Sequence, residues 1–339
     1  MTTDSSDAVV SMPAVYVSDP VHVDVLRGLE AWARVFLGYG ADAVDYVDVR
    51  SYVDAVLLRG EAFTAEMIVA SPRLKIIARH GVGTDNVDLR AAADHGIWVT
   101  VTPGANSRAV AELVFALTLS LVRNVSSATA FARSRSWDEL RGGLTGVEIS
   151  GRVLGLIGFG RIGQAVLEIA RGGFGMPVLV HDPFVERGVI EGLGGRCVGL
   201  DELLGGSDIV SLHLPLVDST RKIMGREELR SMRPGSFLVN TARGELVDEA
   251  ALVECLRNGP LAGAALDVVE HEPDSGGGLG AGELLGAPLD NVLVTPHIGA
   301  QTAESMLRVG RAAVASIWQA LNGDVPDGVV VAPGRTMSA

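Results

Sequence analysis

Residues 153–182 constrain the fold of this chain more than any other stretch. An apolar run typical of a strand, 153–157, leads into the sequence GFGRIG at 158–163. A helix-like pattern and a second apolar run, 178–180, follow and lead to Asp182. Strand, G-x-G-x-x-G, helix, strand and acid in this order are the fingerprint of a dinucleotide-binding βαβ unit. The stretch therefore predicts a doubly wound α/β domain that binds a dinucleotide.

The three glycines of the fingerprint have different predicted roles. Gly158 permits a tight turn, Gly160 lets the backbone approach a pyrophosphate, and Gly163 lets the helix pack close to the strand. The helix that begins near Arg161 and Ile162 presents unpaired N–H groups and a partial positive charge to phosphates. We therefore expect these five residues to bind the dinucleotide.

The acid at the end of the second apolar run indicates which dinucleotide is bound. Asp182 lies 19 residues after Gly163, where a carboxylate can accept hydrogen bonds from ribose hydroxyls. The same carboxylate would repel a 2′-phosphate, which favours NAD over NADP. Arg187 is close enough in sequence to leave NADP open.

Charge and cysteine content exclude several classes of partner. The formal net charge of −13 argues against nucleic acid and anionic membranes, because both require clustered Lys and Arg. An anionic substrate would therefore need a few local arginines. Cys197 and Cys255 have neither metal-binding nor disulfide spacing, so we expect reduced thiols and no metal site.

The chain carries no pattern typical of export or membrane insertion. Its first ten residues are acidic and polar and lack the features of a signal peptide. The longest apolar run, 109–122, contains Glu112 and is too short to span a bilayer. We therefore expect a soluble, cytoplasmic protein.

Strand and helix patterns alternate from Ala14 onward, which predicts parallel sheets covered on both faces. A length of 339 residues favours about two domains. The predicted strands are 55–59, 74–79, 98–101, 153–157, 178–180, 208–214, 236–241, 261–269 and 292–295. The predicted helices are 64–70, 87–95, 109–122, 249–257 and 302–321. Residues 1–12 are expected to be a disordered tail, and the glycine-rich residues 274–286 a mobile loop.

The helix predicted at 109–122 is apolar almost all round. Such a helix is buried on several sides, so we expect it to pack between domains or between subunits. The alternative is a core helix within one subunit.

Three polar residues follow predicted strands in the C-terminal half, where open α/β sheets bind ligands. Arg243 can grip a carboxylate bidentately and polarise the neighbouring carbonyl. His297 can transfer the proton that accompanies a hydride. Glu272 can orient the imidazole and favour its charged form. Taken alone, Arg243 could form a surface ion pair, Glu272 could be a solvated acid, and His297 could be an ordinary loop histidine. Their shared location at strand ends favours a catalytic set.

Five segments resemble the signatures of the D-2-hydroxyacid dehydrogenase family, in the family's order. They are GRVLGLIGFGRIGQAV at 151–166, VSLHLPL at 210–216, VNTARGELVDEAAL at 239–252, AGAALDVVEHEP at 262–273 and VTPHIGA at 294–300. The resemblance covers about residues 55–330.

The resemblance implies a role for individual residues. Arg243 corresponds to the substrate-gripping arginine, Glu272 to the family's glutamate and His297 to the acid–base histidine. Asp182 corresponds to the acid that selects NAD as cofactor. The further implied cofactor contacts are His213, Pro215, Thr241, Ala242, Asp267 and Gly299.

A sixth segment, RHGVGTDNVDL at 79–89, resembles the family's substrate loop. There the backbone amides of Val82 and Gly83 would hold the substrate carboxylate. Within the family the chain looks most like the phosphoglycerate dehydrogenases, because Arg59 and Arg79 match their phosphate-binding positions and TPGANSRAVAEL at 102–113 resembles the equivalent segment. The resemblance ends after the last predicted helix, so we expect this chain to lack the regulatory C-terminal domains of many such enzymes.

The family fold implies two Rossmann-like, doubly wound parallel-sheet domains with the active site in the cleft between them. Residues 1–106 and 300–339 would form the substrate (flavodoxin-like) domain, and 107–299 the NAD-binding domain. The fold also implies a homodimer that uses the apolar helix at 109–122.

The resulting prediction is an NAD-dependent oxidoreductase acting on a small anionic D-2-hydroxy acid, with 3-phosphoglycerate as the specific candidate. A glyoxylate or hydroxypyruvate reductase is the enzymatic alternative. An NAD(H)-sensing binding protein is the alternative from another class.

Overall fold

The chain folds into two compact units, each with its own parallel sheet. The computed structural model describes residues 12–134, 144–271, 283–286 and 289–333. Unit 1 comprises the chain up to Asn106 together with the chain from Thr302 onward, and unit 2 comprises Ser107–Gln301. The expected domain boundaries differ from these units only at residues 300 and 301. The predicted architecture of two doubly wound α/β domains is confirmed.

Unit 1 is a six-stranded sheet covered by helices. Its strands lie in the order β13-β5-β4-β3-β1-β2, and all neighbours are parallel except β13 and β5. The strands are β1 (Ala14–Val17), β2 (Arg34–Leu37), β3 (Ala55–Leu58), β4 (Ile76–Arg79), β5 (Trp98–Thr100) and β13 (Val329–Val331). The helices are α1 (Val23–Glu30), α2 (Tyr46–Val49), α3 (Ala65–Val69), α4 (Leu89–Asp94) and α13 (Ala303–Leu321).

The central strands of unit 1 are buried on both faces, which explains their unbroken apolar sequences. Val15 and Leu57 pack in the cluster that includes Ile317 of α13. Their neighbours Tyr16 and Val56 point to the opposite face and pack in the other cluster. Within the sheet, polar residues such as Arg59 and His80 come directly after the strands.

Unit 2 is a seven-stranded, entirely parallel sheet in the order β12-β11-β10-β9-β6-β7-β8. Its strands are β6 (Leu154–Ile157), β7 (Val178–His181), β8 (Arg196–Cys197), β9 (Ile209–Leu212), β10 (Ser236–Asn240), β11 (Leu261–Leu266) and β12 (Val292–Val294). Its helices are α5 (Ser107–Val122), α6 (Val125–Ser134), α7 (Arg161–Phe174), α8 (Arg187–Gly192), α9 (Leu200–Gly206), α10 (Arg226–Ser231), α11 (Glu249–Asn258) and α12 (Glu283–Gly286). The chain reverses its winding direction between β6 and β9, which is where doubly wound sheets bind ligands.

The apolar helix α5 belongs to the core of its own unit. Its buried side chains, among them Val114, Phe115 and Leu117, join the cluster that contains Leu154 and Leu156 of β6. Phe115 also stacks on Phe174 at the end of α7, with ring centroids 5.2 Å apart. Unit 2 itself therefore covers part of the helix's apolar surface, and the expectation that the helix also packs between domains or between subunits stays a prediction.

Two other expectations concern segments that are partly or wholly outside the described residues. Of the glycine-rich stretch 274–286, predicted as a loop, the last four residues form helix α12, which corrects the prediction there. Residues 274–282 and the predicted tail at 1–11 lie outside the described residues.

Among the described residues, no single helix is both long and apolar enough to cross a membrane. The bent pair Ser107–Val122 and Val125–Arg133 satisfies the length and composition criteria only when the two helices are taken together.

Candidate active site

The glycine loop lies between β6 and α7, and the structure gives each glycine a distinct geometry. Gly158 has a φ of +95°, and a Cβ built on it would lie 2.6 Å from the carbonyl oxygen of His213. A Cβ on Gly163 would lie 2.5 Å from the carbonyl oxygen of Gly158. A Cβ on Gly160 would meet nothing within 4 Å. Gly158 and Gly163 are therefore required by the packing of the chain, and Gly160 keeps a surface open.

Helix α7 begins directly after this open surface. Gly160 is its N-cap residue, and among the described residues no side chain caps the helix there. The first N–H groups of a helix have no partner within it, and together with the helix dipole they favour an anion. Arg161 and Ile162 form the first turn. The loop therefore has the features required to hold a pyrophosphate.

Asp182 is fixed beside the glycine loop by two backbone amides. Its Oδ2 accepts a hydrogen bond from the N–H of Phe159 at 2.8 Å, and its Oδ1 accepts one from the N–H of Phe184 at 2.9 Å. The nearby cation is bonded elsewhere, because Nη1 of Arg187 donates to Glu191 at 3.1 Å and to the Cys197 carbonyl at 3.2 Å. The Asp182 carboxylate is thus held in place at the end of β7, whereas the Arg187 guanidinium is bonded to groups further along the chain.

Two buried polar atoms follow β9 and β10, which are successive strands on one side of β6. Nε2 of His213, after β9, and Oγ1 of Thr241, after β10, are buried without a hydrogen-bond partner among the described residues. Burial lowers the pKa of His213 to about 3, so its imidazole is neutral at pH 7. Unsatisfied buried polar atoms are costly and often mark a ligand site. Together with the glycine loop and Asp182, they fit a bound dinucleotide, and Pro215 and Ala242 lie in the same two segments.

Arg243 lies in a short turn between β10 and a 3₁₀ turn, Gly244–Leu246. The side chain of Asn240 closes this turn: its Nδ2 donates to the Arg243 carbonyl at 2.7 Å, and its Oδ1 accepts from the Ala242 N–H at 3.0 Å. Nη1 of Arg243 donates to the Ala242 carbonyl at 2.7 Å. The guanidinium is thus carried on a backbone that a buried carboxamide holds.

The segment after β11 packs tightly against this turn. A Cβ on Gly244 would lie 2.0 Å from the carbonyl carbon of Val269, so only glycine fits there. The buried carboxylate of Glu249 accepts a hydrogen bond from the Glu270 N–H at 2.7 Å. Lys222 lies 3.6 Å from the Glu270 carboxylate. Glu272, two residues further on, lies outside the described residues, and its role stays a prediction.

His297 lies after β12 in a turn that Asp267 organises. The buried carboxylate of Asp267 accepts hydrogen bonds from the Thr295 hydroxyl at 2.6 Å and from the N–H groups of Ile298 and Gly299 at 2.8 and 2.7 Å. The predicted cofactor contacts Asp267 and Gly299 are therefore bonded to each other. His297 has a φ of +52°, which is uncommon for residues other than glycine, and such conformations cluster at functional sites.

All the predicted residues of unit 2 that the structure describes follow the carboxyl ends of strands in one parallel sheet. Gly158, Asp182, His213, Arg243 and His297 follow β6, β7, β9, β10 and β12, respectively. Since parallel strands end at a common edge, the sheet itself brings these groups to the same side of unit 2. The described residues contain no group of three or more His, Cys, Asp or Glu arranged to hold a metal ion.

Arg59 and Arg79 lie at the ends of β3 and β4 in unit 1. Arg79 is buried, and its guanidinium donates to the carbonyl oxygens of Gly83 at 2.8 Å, of Leu58 at 3.1 Å and of Arg59. Nη1 of Arg59 donates to the Pro20 carbonyl at 3.2 Å. Arg79 therefore forms part of the framework of the loop that carries Val82 and Gly83, whereas Arg59 lies nearer the surface.

His80 lies inside unit 1 behind these arginines. Its Nε2 is 3.3 Å from the carbonyl oxygen of Met306. Burial, and to a lesser extent the charge of Arg59, lowers the pKa of His80 to about 4. The imidazole is therefore neutral at pH 7 and acts as a structural group.

Sequence reasoning missed Asn240 and Glu249, the two buried polar residues that shape the Arg243 turn. Both lie within the predicted motif VNTARGELVDEAAL. Their structural role becomes visible only in the folded protein, where both side chains are buried. A polar residue among the last residues of an otherwise apolar predicted strand, here 236–241, is the signal that would have found Asn240.

Comparison with known proteins adds an independent line of evidence. The family model described as "D-isomer specific 2-hydroxyacid dehydrogenase, NAD binding domain" matches residues 115–299. A D-3-phosphoglycerate dehydrogenase of Methanocaldococcus jannaschii is 38% identical over 324 residues, which is 95% of this chain and 60% of the relative. The chain thus spans about three fifths of the length of that relative.

Two further proteins match over nearly their whole length. A glyoxylate reductase of Thermococcus litoralis is 38% identical over 327 residues, covering 94% of this chain and 96% of the relative. A crystal structure of a protein from Thermus thermophilus has a TM-score of 0.82 and 37% identity, covering 94% of this chain and all of that one.

Proposed function

We propose, since this chain belongs to the D-isomer-specific 2-hydroxyacid dehydrogenase family, that it catalyses hydride transfer between a D-2-hydroxy acid and NAD. The resemblance inferred from the five sequence motifs is thereby confirmed at the level of the family. The observation that carries the proposal is the position of Arg243 and His297 at the carboxyl edge of the same sheet that bears the glycine loop.

Each candidate residue of unit 2 has a separate role in the proposed reaction. Bound NAD(H) supplies or accepts the hydride. Arg243 binds the substrate carboxylate and polarises the adjacent carbonyl. In the direction of oxidation, neutral His297 accepts the hydroxyl proton, and in reduction its imidazolium donates that proton to the carbonyl oxygen. We assign to Glu272 the orientation of this imidazole.

The proposed cofactor is NAD rather than NADP. Asp182 is held by two amides in a position to accept hydrogen bonds from a ribose, and its charge opposes a 2′-phosphate. Arg187, which left NADP open, donates to Glu191 and to a backbone carbonyl.

The substrate is a small anionic 2-hydroxy or 2-oxo acid. For the specific candidate 3-phosphoglycerate we propose Arg59 as the phosphate contact, together with the Val82 and Gly83 amides for the carboxylate. The bonds of Arg79 to three backbone carbonyls support a framework role for this residue.

Reduction of glyoxylate or hydroxypyruvate is the second candidate. It is supported by the match to a glyoxylate reductase over 96% of that relative's length, whereas the phosphoglycerate dehydrogenase is matched over 60% of its own.

We further propose a cytoplasmic homodimer, and light scattering of the purified protein tests its oligomeric state.

A panel of 2-oxo acids with and without a phosphate group, assayed by NADH absorbance, tests the proposed function. We expect turnover with NADH, and Arg59→Ala should raise KM for phosphorylated substrates only, with the exposed Arg90→Ala as control. No preference for phosphorylated substrates, with little loss of activity in Arg59→Ala, would favour the reductase. Tight NADH binding without turnover of any 2-oxo acid would overturn the enzymatic proposal in favour of an NAD(H)-sensing protein.

A further inference from the structure

We infer that Asn240 is a positioning residue that sets the location of the Arg243 guanidinium. This inference rests on the proposed function, in which Arg243 binds the substrate carboxylate. Asn240 is the last residue of β10 and is 1% exposed. It lies outside the set of residues that the family motifs assign to substrate or cofactor.

The hydrogen bonds of Asn240 determine which way its carboxamide faces. Nδ2 donates to the Arg243 carbonyl, and Oδ1 accepts from the Ala242 N–H. Because one partner is a pure acceptor and the other a pure donor, only a side chain with both functions on one planar group satisfies them. The carboxamide thereby ties the two residues that follow Thr241 to the end of the strand.

The strand end itself is rigid, so the side chain has a fixed base. The Asn240 carbonyl accepts a hydrogen bond from the Asp267 N–H at 2.8 Å, which joins β10 to the segment after β11. Asn240 is also paired with Leu212 of β9 and Leu266 of β11. The position of Asn240 is thus determined by its own strand and the two strands beside it.

The other side of the turn is held by packing. Gly244 fits against Val269 so closely that no Cβ is tolerated. Between this contact and the Asn240 carboxamide, the backbone of Arg243 is extended, with φ of −145° and ψ of 141°. Loss of the carboxamide bonds therefore frees one end of the segment that carries the guanidinium while the other end stays fixed.

Asn240→Asp is the most discriminating substitution, because it preserves shape and replaces the Nδ2 donor by an oxygen that faces the Arg243 carbonyl. Asn291→Asp is the matched control. Asn291 lies in the same unit just before β12, and its Nδ2 also donates to two backbone carbonyls, those of Leu256 and Ala262, at 3.3 and 3.2 Å. It lies at the amino ends of the strands, opposite Arg243.

A double-mutant cycle tests the inference through kinetics. We expect Asn240→Asp to raise KM for the 2-oxo acid and to lower kcat, with kcat/KM falling about 10- to 100-fold, as is usual for a misplaced binding group. In the Arg243→Ala background the same change should have less than about a threefold effect, because the two substitutions remove one function. Asn291→Asp should leave KM unchanged in both backgrounds.

Crystal structures of the same variants provide a readout that does not depend on activity. We expect the Ala242–Arg243 backbone to be displaced in Asn240→Asp and unchanged in Asn291→Asp. Should Asn240→Asp fail to fold, Asn240→Ala, which can make neither of the two bonds, replaces it. An undisplaced turn, or additive effects in the kinetic cycle, would overturn the inference.

The two proposals fail in different ways. If the wild-type protein turns over no 2-oxo acid, the proposed function is wrong, and the crystallographic comparison still decides whether Asn240 positions Arg243. If the wild type is active and Asn240→Asp matches it in KM, kcat and turn geometry, only the inference about Asn240 is wrong.

Discussion

The backbone N–H of His297 donates a hydrogen bond to the carbonyl oxygen of Asp267 at 2.9 Å, while His297 itself adopts a φ of +52°. The carboxylate of the same aspartate binds residues on both sides of the histidine. One buried acid thus holds the proposed proton donor in a backbone conformation that most residues avoid.

This geometry makes His297→Asn a cleaner test of proton transfer than His297→Ala. Asn tolerates the left-handed region, whereas Ala there costs roughly 1–2 kcal/mol. Both variants should lose about 10²- to 10⁴-fold in kcat, the usual range for a general acid–base group. Steady-state NADH oxidation measures the rate, and thermal melts should show the smaller loss of stability for Asn. A near-normal kcat in the Asn variant would remove the histidine from the mechanism.

Asp267→Asn should impair both stability and rate. Its amide can keep one oxygen acceptor but presents an N–H donor group to amides that are themselves donors, so at least one buried bond is lost at a cost of about 1–3 kcal/mol. Urea denaturation measures this loss, with the exposed Asp290→Asn as control. An Asp267→Asn variant with unchanged stability would show that the turn is held by other contacts.

The buried histidine of unit 1 predicts an acid-sensitive fold. The pKa of His80 is about 4 in the folded state and about 6.5 in the unfolded chain, so the unfolded state binds the proton first. The stability that the neutral imidazole contributes is complete above pH 6.5 and is lost as the pH falls toward 4. At pH 5 the loss from His80 alone is about 2 kcal/mol.

Urea denaturation at pH 7.5 and pH 5.0, followed by tryptophan fluorescence, measures this effect, because three of the four tryptophans, Trp32, Trp98 and Trp318, lie in unit 1. His80→Gln retains a donor for the Met306 carbonyl and cannot titrate. We expect its stability to change less between the two pH values than that of the wild type. Parallel pH dependence in both proteins would exclude His80 as the group responsible.

Asp182→Ala should weaken NADH binding about 10- to 100-fold, since charge-assisted hydrogen bonds contribute about 1.5–3 kcal/mol. It should also narrow the preference for NADH over NADPH, because the repelling charge is gone. Titrations of intrinsic fluorescence with each cofactor measure both effects. Glu191→Ala provides the comparison, because it removes the carboxylate partner of Arg187 and so tests whether that cation influences the choice of cofactor. Retained discrimination in Asp182→Ala would assign cofactor choice to another residue.

The sequence could predict those parts of the molecule in which only one residue type can occupy a position. Gly158 predicts a tight turn and Gly163 a close contact between helix and strand, because no other residue fits at either position. The structure shows both features. Asn240 could not be predicted in the same way. Its role depends on two backbone groups that come within reach only after β10 has ended and the chain has turned.

The location of α5 shows a second kind of limit. Hydropathy predicted that the helix is buried on several sides, which is correct, but it carries no information about what covers it. The covering residues lie far along the chain, for example Phe174, and become neighbours of Phe115 only in the folded sheet. Burial is a local property of sequence, whereas the identity of the covering surface is not.

The glycine loop also separates two kinds of evolutionary constraint. Replacement of Gly158 or Gly163 would damage the domain whether or not a nucleotide is ever bound, whereas a side chain at Gly160 would point into open space and harm only what docks there. A descendant that had abandoned its coenzyme would therefore be free to change position 160 first. Positions 158 and 163 are thus determined by the fold of the domain, and position 160 by the molecule that the loop binds.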